Sequence, residues 1–316
     1  MAKIEIETLD KQLEECGKWQ SMVDQDLKDP VLLFKLLLAH SPQKIEKLFI
    51  QALEEAPGTQ QKEWYQFLRD SKQLYEVGLE HFQGKRFCEA VLCWNKSAQL
   101  GNFKAQYDLA RCYRDGTGVV KDEKKKVEWL SKSSEAGYAP AQYDLAHCYC
   151  SGFGVVKDEK KKVEWLSKAA KAGYAPAQND LGFAYQHGIG VAKDEKKAIE
   201  LYTQAYEGGN TSATYNLGFC YKNGKGVEKD PKTAVKFYMK TAEKGDAYAQ
   251  IALANMYCDG NGVEKDEKKA VEWYLKAALQ DDEDAKRALV ECYRGGIGVA
   301  KDERKAAEWQ SKLKKK

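Results

Sequence analysis

GFGVVKDEKK, residues 152–161, decides the fold, because near copies of it recur along the chain. GTGVVKDEKK begins at Gly116, GIGVAKDEKK at Gly188, GKGVEKDPKT at Gly224, GNGVEKDEKK at Gly260 and GIGVAKDERK at Gly296. The step is always 36 residues, so six units cover residues 101–316. A fixed period of this length marks a stack of identical supersecondary units.

Upstream of the quoted loop, Ala141, Leu145, Cys148 and Tyr149 fall at the spacing of one helical face, which predicts a helix A. Downstream, Val163, Trp165, Leu166, Ala169 and Ala170 form a broad apolar face on a helix B. Asp158 suits the cap of that helix, since its carboxylate can accept from free backbone amides. In the fourth unit Asp230 is followed by Pro231, whose preference for the first helical position fixes the same register. Gly137, Gly173, Gly209 and Gly245 stand where a left-handed residue ends helix B, and Asn210 and Asp246 follow as caps of the next helix A. The Gly-x-Gly pair is read as a helix-ending turn. A dinucleotide loop needs a preceding strand and a third glycine, and neither is present in this context.

Ala105, Leu109, Tyr113, Gly116, Gly118, Val119, Lys121 and Asp122 recur in register in all six units. A single helix pair is too small to bury its apolar face, so each must stack on its neighbours. The pattern in AQIALANMYCDGNGVEKDEKKAVEWYLKAA (residues 249–278) closely resembles the Sel1-like repeat family, relatives of the tetratricopeptide repeats. The resemblance implies an all-α, right-handed αα-superhelix of six repeats (101–136, 137–172, 173–208, 209–244, 245–280, 281–316). Residues 71–100, which include LYEVGLEHFQGKRFCEAVLCWNKSA, lack the longer loop and resemble one tetratricopeptide helix pair continuing the stack. Residues 1–70 have no echo and read as a helical cap or a separate docking segment. Lys126 and Lys162 stand in a column that is alanine from Ala198 onward, and Ser133 and Ser134 replace an Ala pair, so looser packing is expected in the first units. Gln310 in place of Leu166 or Tyr274 suits a terminal face turned to water.

Composition excludes other classes. Hydrophobic residues are 43%, charged residues 31% and prolines six, which fits neither a disordered nor a collagenous chain. The longest apolar stretch, VLLFKLLLA at 31–39, is half a bilayer span and carries Lys35. A start of MAKIEIE does not read as a secretory signal, and cytoplasmic residence is expected, with delivery into a host cell by a signal-independent route left open. A net charge of +3 and the interleaved acids of KDEKKK argue against nucleic acid. No membrane insertion is expected, and the chain should be a monomer.

Nine cysteines raise disulfide and metal chemistry. Cys112, Cys148, Cys220 and Cys292 share a column with Ala184 and Met256, so the column wants a small or soft apolar side chain. A cysteine-rich subgroup of the family bridges its hairpins with a cysteine on each helix, but no helix B of the six units contains one. In His147-Cys148-x-Cys150 the two thiols diverge by about 200° around the helix, unfit for one tetrahedral ion. His40, His81 and His187 belong to no nucleophile–base arrangement. No catalytic residue, cofactor site or metal site is assigned.

The family resemblance implies a concave groove lined by the outer face of helix A. Three columns lie there. One holds Tyr107, Tyr143, Asn179, Tyr215, Ile251 and Arg287; a second holds Arg111, His147, Phe183, Phe219, Asn255 and Glu291. The third holds Arg114, Cys150, Gln186, Lys222, Cys258 and Arg294. Constant columns build the stack and variable ones can carry recognition. Central aromatics with arginines towards both ends suit a protein or peptide partner with apolar anchors and some acidic residues. The expected function is a non-enzymatic adaptor, scaffold or regulator. Relatives occur in signalling, protein quality control and contact with host cells. The alternatives are a β-lactam-hydrolysing or penicillin-binding protein, as linked to cysteine-rich relatives, and RNA binding by a helical-repeat array.

Overall fold

The structure, a computed structural model, describes residues 70–313; the expected cap or docking segment before them lies outside the described residues. Among the described residues there are fourteen helices and no strand. The first pair is α1 (Ser71–Gln83) and α2 (Phe87–Gln99). The repeats follow as α3 (Phe103–Asp115), α4 (Glu123–Glu135), α5 (Ala139–Ser151), α6 (Glu159–Lys171), α7 (Ala175–His187) and α8 (Glu195–Glu207). The last are α9 (Thr211–Asn223), α10 (Pro231–Ala242), α11 (Ala247–Asp259), α12 (Glu267–Ala278), α13 (Glu283–Gly295) and α14 (Glu303–Ser311). From α3 on, odd numbers are helices A and even numbers helices B. No described helix is long and apolar enough to cross a membrane.

The helix ends form where local chemistry puts them. Asp122, Asp158, Asp194, Asp230, Asp266 and Asp302 all cap a helix B, each carboxylate accepting from a first-turn amide. Their own amides donate back to the Tyr carbonyl near the end of helix A, at 2.8–3.0 Å in every repeat, which closes the hairpin. Asn210 and Asp246 cap α9 and α11 as the sequence predicts. At the same position Tyr174 caps α7 without any side-chain bond.

The chain divides into two compact units, in each of which consecutive helix pairs pack as a solenoid. The first runs to Ala141 and includes Gly152–Val156; the second takes Gln142–Ser151 and everything from Lys157 onward. In the first unit Ala105 and Leu109 are fully buried. In the second, Leu145, Leu181, Leu217, Leu253 and Leu289 are buried in the same column. Each such leucine contributes roughly 1.5–3 kcal/mol by leaving water. The cysteine column is interior as well: Cys112, Cys148, Cys220 and Cys292 are buried, with Ala184 and Met256 among them.

The two glycines of each loop do different jobs. Gly224 ends α9 in the left-handed region at φ 70°, the helix-ending role expected for the pair. Gly226, also left-handed, is needed for a contact between repeats. A Cβ there would lie 2.1 Å from the carbonyl oxygen of Glu195, the first residue of the preceding helix B. The second glycine makes the same approach in every loop, to Glu123 from Gly154 in the first unit and to Glu267 from Gly298 in the second.

A polar column that the apolar pattern hid ties three of the helices A to the helix before them. Buried Gln106 donates to the Ala98 carbonyl at 3.1 Å, and in the second unit Gln178 and Gln250 donate to Ala170 and Ala242 at 3.3 and 3.1 Å. The early units also compensate for their departures. Ser133 is fully buried and donates to the Phe103 carbonyl at 2.7 Å, and buried Lys126 pairs with Glu123. Gln310 is exposed at the terminal face, as expected.

Candidate functional site

The ninth residue of each helix A is the most open position of the predicted face. In the second unit this column runs His147, Phe183, Phe219, Asn255 and Glu291. Phe183 and Phe219 are 46% and 38% exposed, a high cost for two phenyl rings in adjacent repeats, because apolar area left in water forgoes its burial energy. His147 and Glu291 are exposed and Asn255 is half-buried. In the first unit, Arg111 holds this position on α3.

The first column is half-buried and works partly as structure. Tyr107 meets Tyr138 edge to face at 5.3 Å between centroids in the first unit, and Tyr143 meets Tyr174 in the same way at 5.4 Å in the second. Tyr215 packs against Tyr238 and Ile251 against the core of the last repeats. Two predicted residues are corrected by the structure. Asn179 and Gln186 do not line an open face; both are buried. Gln186 accepts from the Tyr202 hydroxyl at 2.7 Å, a reach that Gly182 permits because a Cβ there would strike the Tyr202 ring at 2.9 Å. Asn179 accepts from the Asn216 side-chain amide at 2.9 Å and donates to Asp180 at 3.1 Å.

Asp180 is the polar centre of this face. His147 Nε2 lies 3.2 Å from its carboxylate, and the Tyr143 hydroxyl also hydrogen-bonds to it. Burial pulls its pKa upward, but the hydrogen bonds from His147, Asn179 and Tyr143 outweigh that and hold it below the ordinary carboxylate range. His147 therefore faces a carboxylate while Cys148 points into the core, so the tempting His-Cys-x-Cys string is split between two environments.

The arginines differ from expectation in their availability. Arg114 forms a two-pronged pair with Asp115 at 2.8 and 2.9 Å, and Arg111 reaches Asp108 at 3.5 Å. Arg287 is gripped by Glu283 and Asp284 at 3.1 and 3.0 Å, and Arg294 lies 3.6 Å from Glu291. All four carry a carboxylate already, so an acidic partner gains only by exchange. The remaining members are quieter. Lys222 and Cys150 are half-buried, and the Tyr274 hydroxyl donates to Asn255 and lies beside Cys258.

Burial pushes the thiols of Cys112 and Cys220 up to about 12, so both stay protonated and unreactive at neutral pH. Among the described residues no His, Cys, Asp and Glu cluster has the makings of a metal site.

Sequence reading missed two members of this face. On α1, Leu79 and Phe82 occupy the ninth and twelfth helical positions, those of Arg111 and Arg114 on α3. Aligning the two helices position by position would have found them.

The Sel1 repeat family matches residues 103–138, 139–174, 175–210, 211–246, 247–282 and 285–312. A Sel1 repeat protein from Oxalobacter formigenes is 33% identical, over 77% of this chain and 97% of that one, with a TM-score of 0.71. c5321, a protective antigen present in uropathogenic Escherichia coli strains displaying an SLR fold, is 34% identical over 70% of this chain, with a TM-score of 0.67. The match takes in 48% of c5321, so this chain spans about half its length. No curated protein matches.

Proposed function

The chain belongs to the Sel1 repeat family, whose solenoids typically mediate protein–protein interaction, and from that premise we propose that it is a non-enzymatic scaffold holding a protein partner on the helix-A face of its second unit. The observation that carries this reading is the exposed pair Phe183 and Phe219 at one helical position of neighbouring repeats. The buried Ala and Leu columns of helix A persist in the repeats that lack these rings, so the phenyl rings serve no packing need that the other repeats share. Half-buried Tyr215 and Ile251 share the adjoining column, a pattern of apolar anchors. Apolar anchors dominate the partner's chemistry, and acidic groups on it contribute less, because the four arginines are already paired.

A β-lactam-directed activity draws no support from the core thiols of Cys112 and Cys220, which burial keeps protonated. Cytoplasmic residence is part of the same proposal and fits the single core cysteine that four of the six repeats carry.

The test is affinity capture from the native cell extract with the intact chain and with a Phe183→Ser, Phe219→Ser double variant. Phe153→Ser serves as control, since Phe153 is more exposed still, at 63%, but lies in a loop of the first unit. A partner recovered at least tenfold less by the folded double variant, and undiminished by the control, is the expected result. Equal recovery by all three would remove the proposal.

A further inference from the structure

The helix-A face continues into the helix pair that precedes the family match, and where that pair meets the first matched repeat there is a cavity of about 130 Å³. The cavity belongs wholly to the first unit, between α1, α2 and α3. Its apolar wall is Leu79, Phe82, Trp94 and Cys112. Gly78 makes room for the Trp94 ring, since a Cβ there would lie 2.4 Å from it, and the Trp94 indole N–H donates to the Tyr75 carbonyl at 3.3 Å. Phe82 tilts over Trp94 at 5.3 Å between centroids and remains 39% exposed, so the cavity has a rigid floor and an accessible aromatic lip.

The charged groups at the mouth leave no net charge to offer a ligand. Asp108 is met by Arg111 and by the Tyr75 hydroxyl at 2.9 Å, and Asp115 is held by Arg114. The Cys112 thiol stays protonated, pushed up to about 12 by burial. An ammonium group entering here would displace Arg111, and a carboxylate would displace Asp108 or Asp115. An uncharged group displaces neither, and it covers the apolar wall. The volume is close to that of an apolar cavity of about 150 Å³ that takes benzene, which fits one leucine-sized side chain.

We propose that this cavity is a specificity pocket for a single aliphatic side chain of the bound partner segment, seated against Leu79, Phe82 and Trp94 between two self-neutralised ion pairs. The inference rests on the reading of the helix-A face as a binding surface and adds to it the residue class selected at one point. Leu79, Phe82 and Trp94 come from the helix pair before the family match and Asp108, Arg111 and Cys112 from the first matched repeat, so the pocket forms where that pair meets the repeats.

The experiment uses the full chain labelled with 5-fluorotryptophan, with the Trp94 fluorine resonance identified by its loss in Trp94→Phe. N-acetyl-leucine methylamide, N-acetyl-lysine methylamide and N-acetyl-glutamate methylamide are titrated separately. The leucine compound should move the Trp94 resonance saturably, with the lysine and glutamate compounds at least tenfold weaker. Leu79→Lys, which puts a charged head in the wall, should weaken the leucine compound at least tenfold with unchanged far-UV circular dichroism. If Leu79→Lys fails to fold, Phe82→Ala, which removes the lip, is judged by the same criterion. No saturable shift, a preference for the lysine or glutamate compound, or wild-type binding by the folded variant would overturn the pocket. These readouts do not involve Phe183 or Phe219. The pocket can therefore fail while capture through the second unit stands, and leucine binding can hold while that capture fails.

Discussion

Gly226→Ala probes the contact that lets repeats stack. The backbone at Gly226 has φ +72°, so any side chain there incurs the left-handed penalty of roughly 1–2 kcal/mol. The added Cβ would also sit 2.1 Å from the Glu195 carbonyl oxygen and 2.5 Å from its carbon. Both are backbone atoms at the start of α8, so relief requires the loop to move away from that helix, at a further cost of about 1–3 kcal/mol for overpacking. The sum is roughly 2–5 kcal/mol. Gly209→Ala isolates the first contribution, because Gly209 has φ +83° but nothing within 4 Å of its Cβ position. It should cost about 1–2 kcal/mol. Stacked repeats need not unfold as one body, so the assay is hydrogen exchange read by mass spectrometry alongside urea unfolding. Gly226→Ala should lower the urea midpoint more than Gly209→Ala and accelerate exchange in α8, α9 and α10. If the two variants lose equal stability and show equal exchange, backbone conformation alone explains the glycine and the close approach is irrelevant.

Two further outcomes follow from the polar interior. Tyr202→Phe removes the hydroxyl that donates to Gln186 and leaves a buried amide oxygen without it; a loss of about 1–3 kcal/mol is expected in urea unfolding, and no loss would contradict that bond. Asp108→Asn should raise the urea midpoint at neutral pH, because burial raises the Asp108 pKa and Asn216 fills the same column without charge. The sign follows from proton binding: a carboxyl whose folded pKa is raised holds its proton more tightly when folded, so its unfavourable contribution fades as pH falls through that pKa. The wild-type deficit relative to Asp108→Asn should therefore shrink towards acid, and a deficit that widens would refute the assignment.

What could be read in the sequence was local. Asp158 and Asn210 cap helices because the carboxylate or amide oxygen meets a backbone amide three residues away, and Gly224 ends one because its own φ is positive. Cys148 and Leu145 are interior because a helical face repeats them in register. What escaped reading depends on contacts far along the chain. Gly226 looks like a second turn glycine until the Glu195 carbonyl is placed beside it. Gln178 looks like a surface residue until its amide finds the Ala170 carbonyl. A helical wheel puts Gln186 and Asn179 on the outer face, but Tyr202 and Asn216 draw them inward through hydrogen bonds the wheel cannot contain. The arginine pairs are the exception: Asp115 is adjacent to Arg114, and Glu283 and Asp284 stand four and three residues before Arg287, helical spacings that the sequence already offered. On α1, a shorter loop breaks the 36-residue step and hid Leu79 and Phe82 from the column count.

The central claim is that the second unit grips a partner through the open column of its helices A. Hydroxyl-radical footprinting of the intact chain, with and without the captured partner, tests it most directly. The account predicts that oxidation of Phe183 and Phe219 falls on binding while that of Phe153 is unchanged. Undiminished oxidation of both phenylalanines, with protection appearing at Phe153 instead, would contradict it.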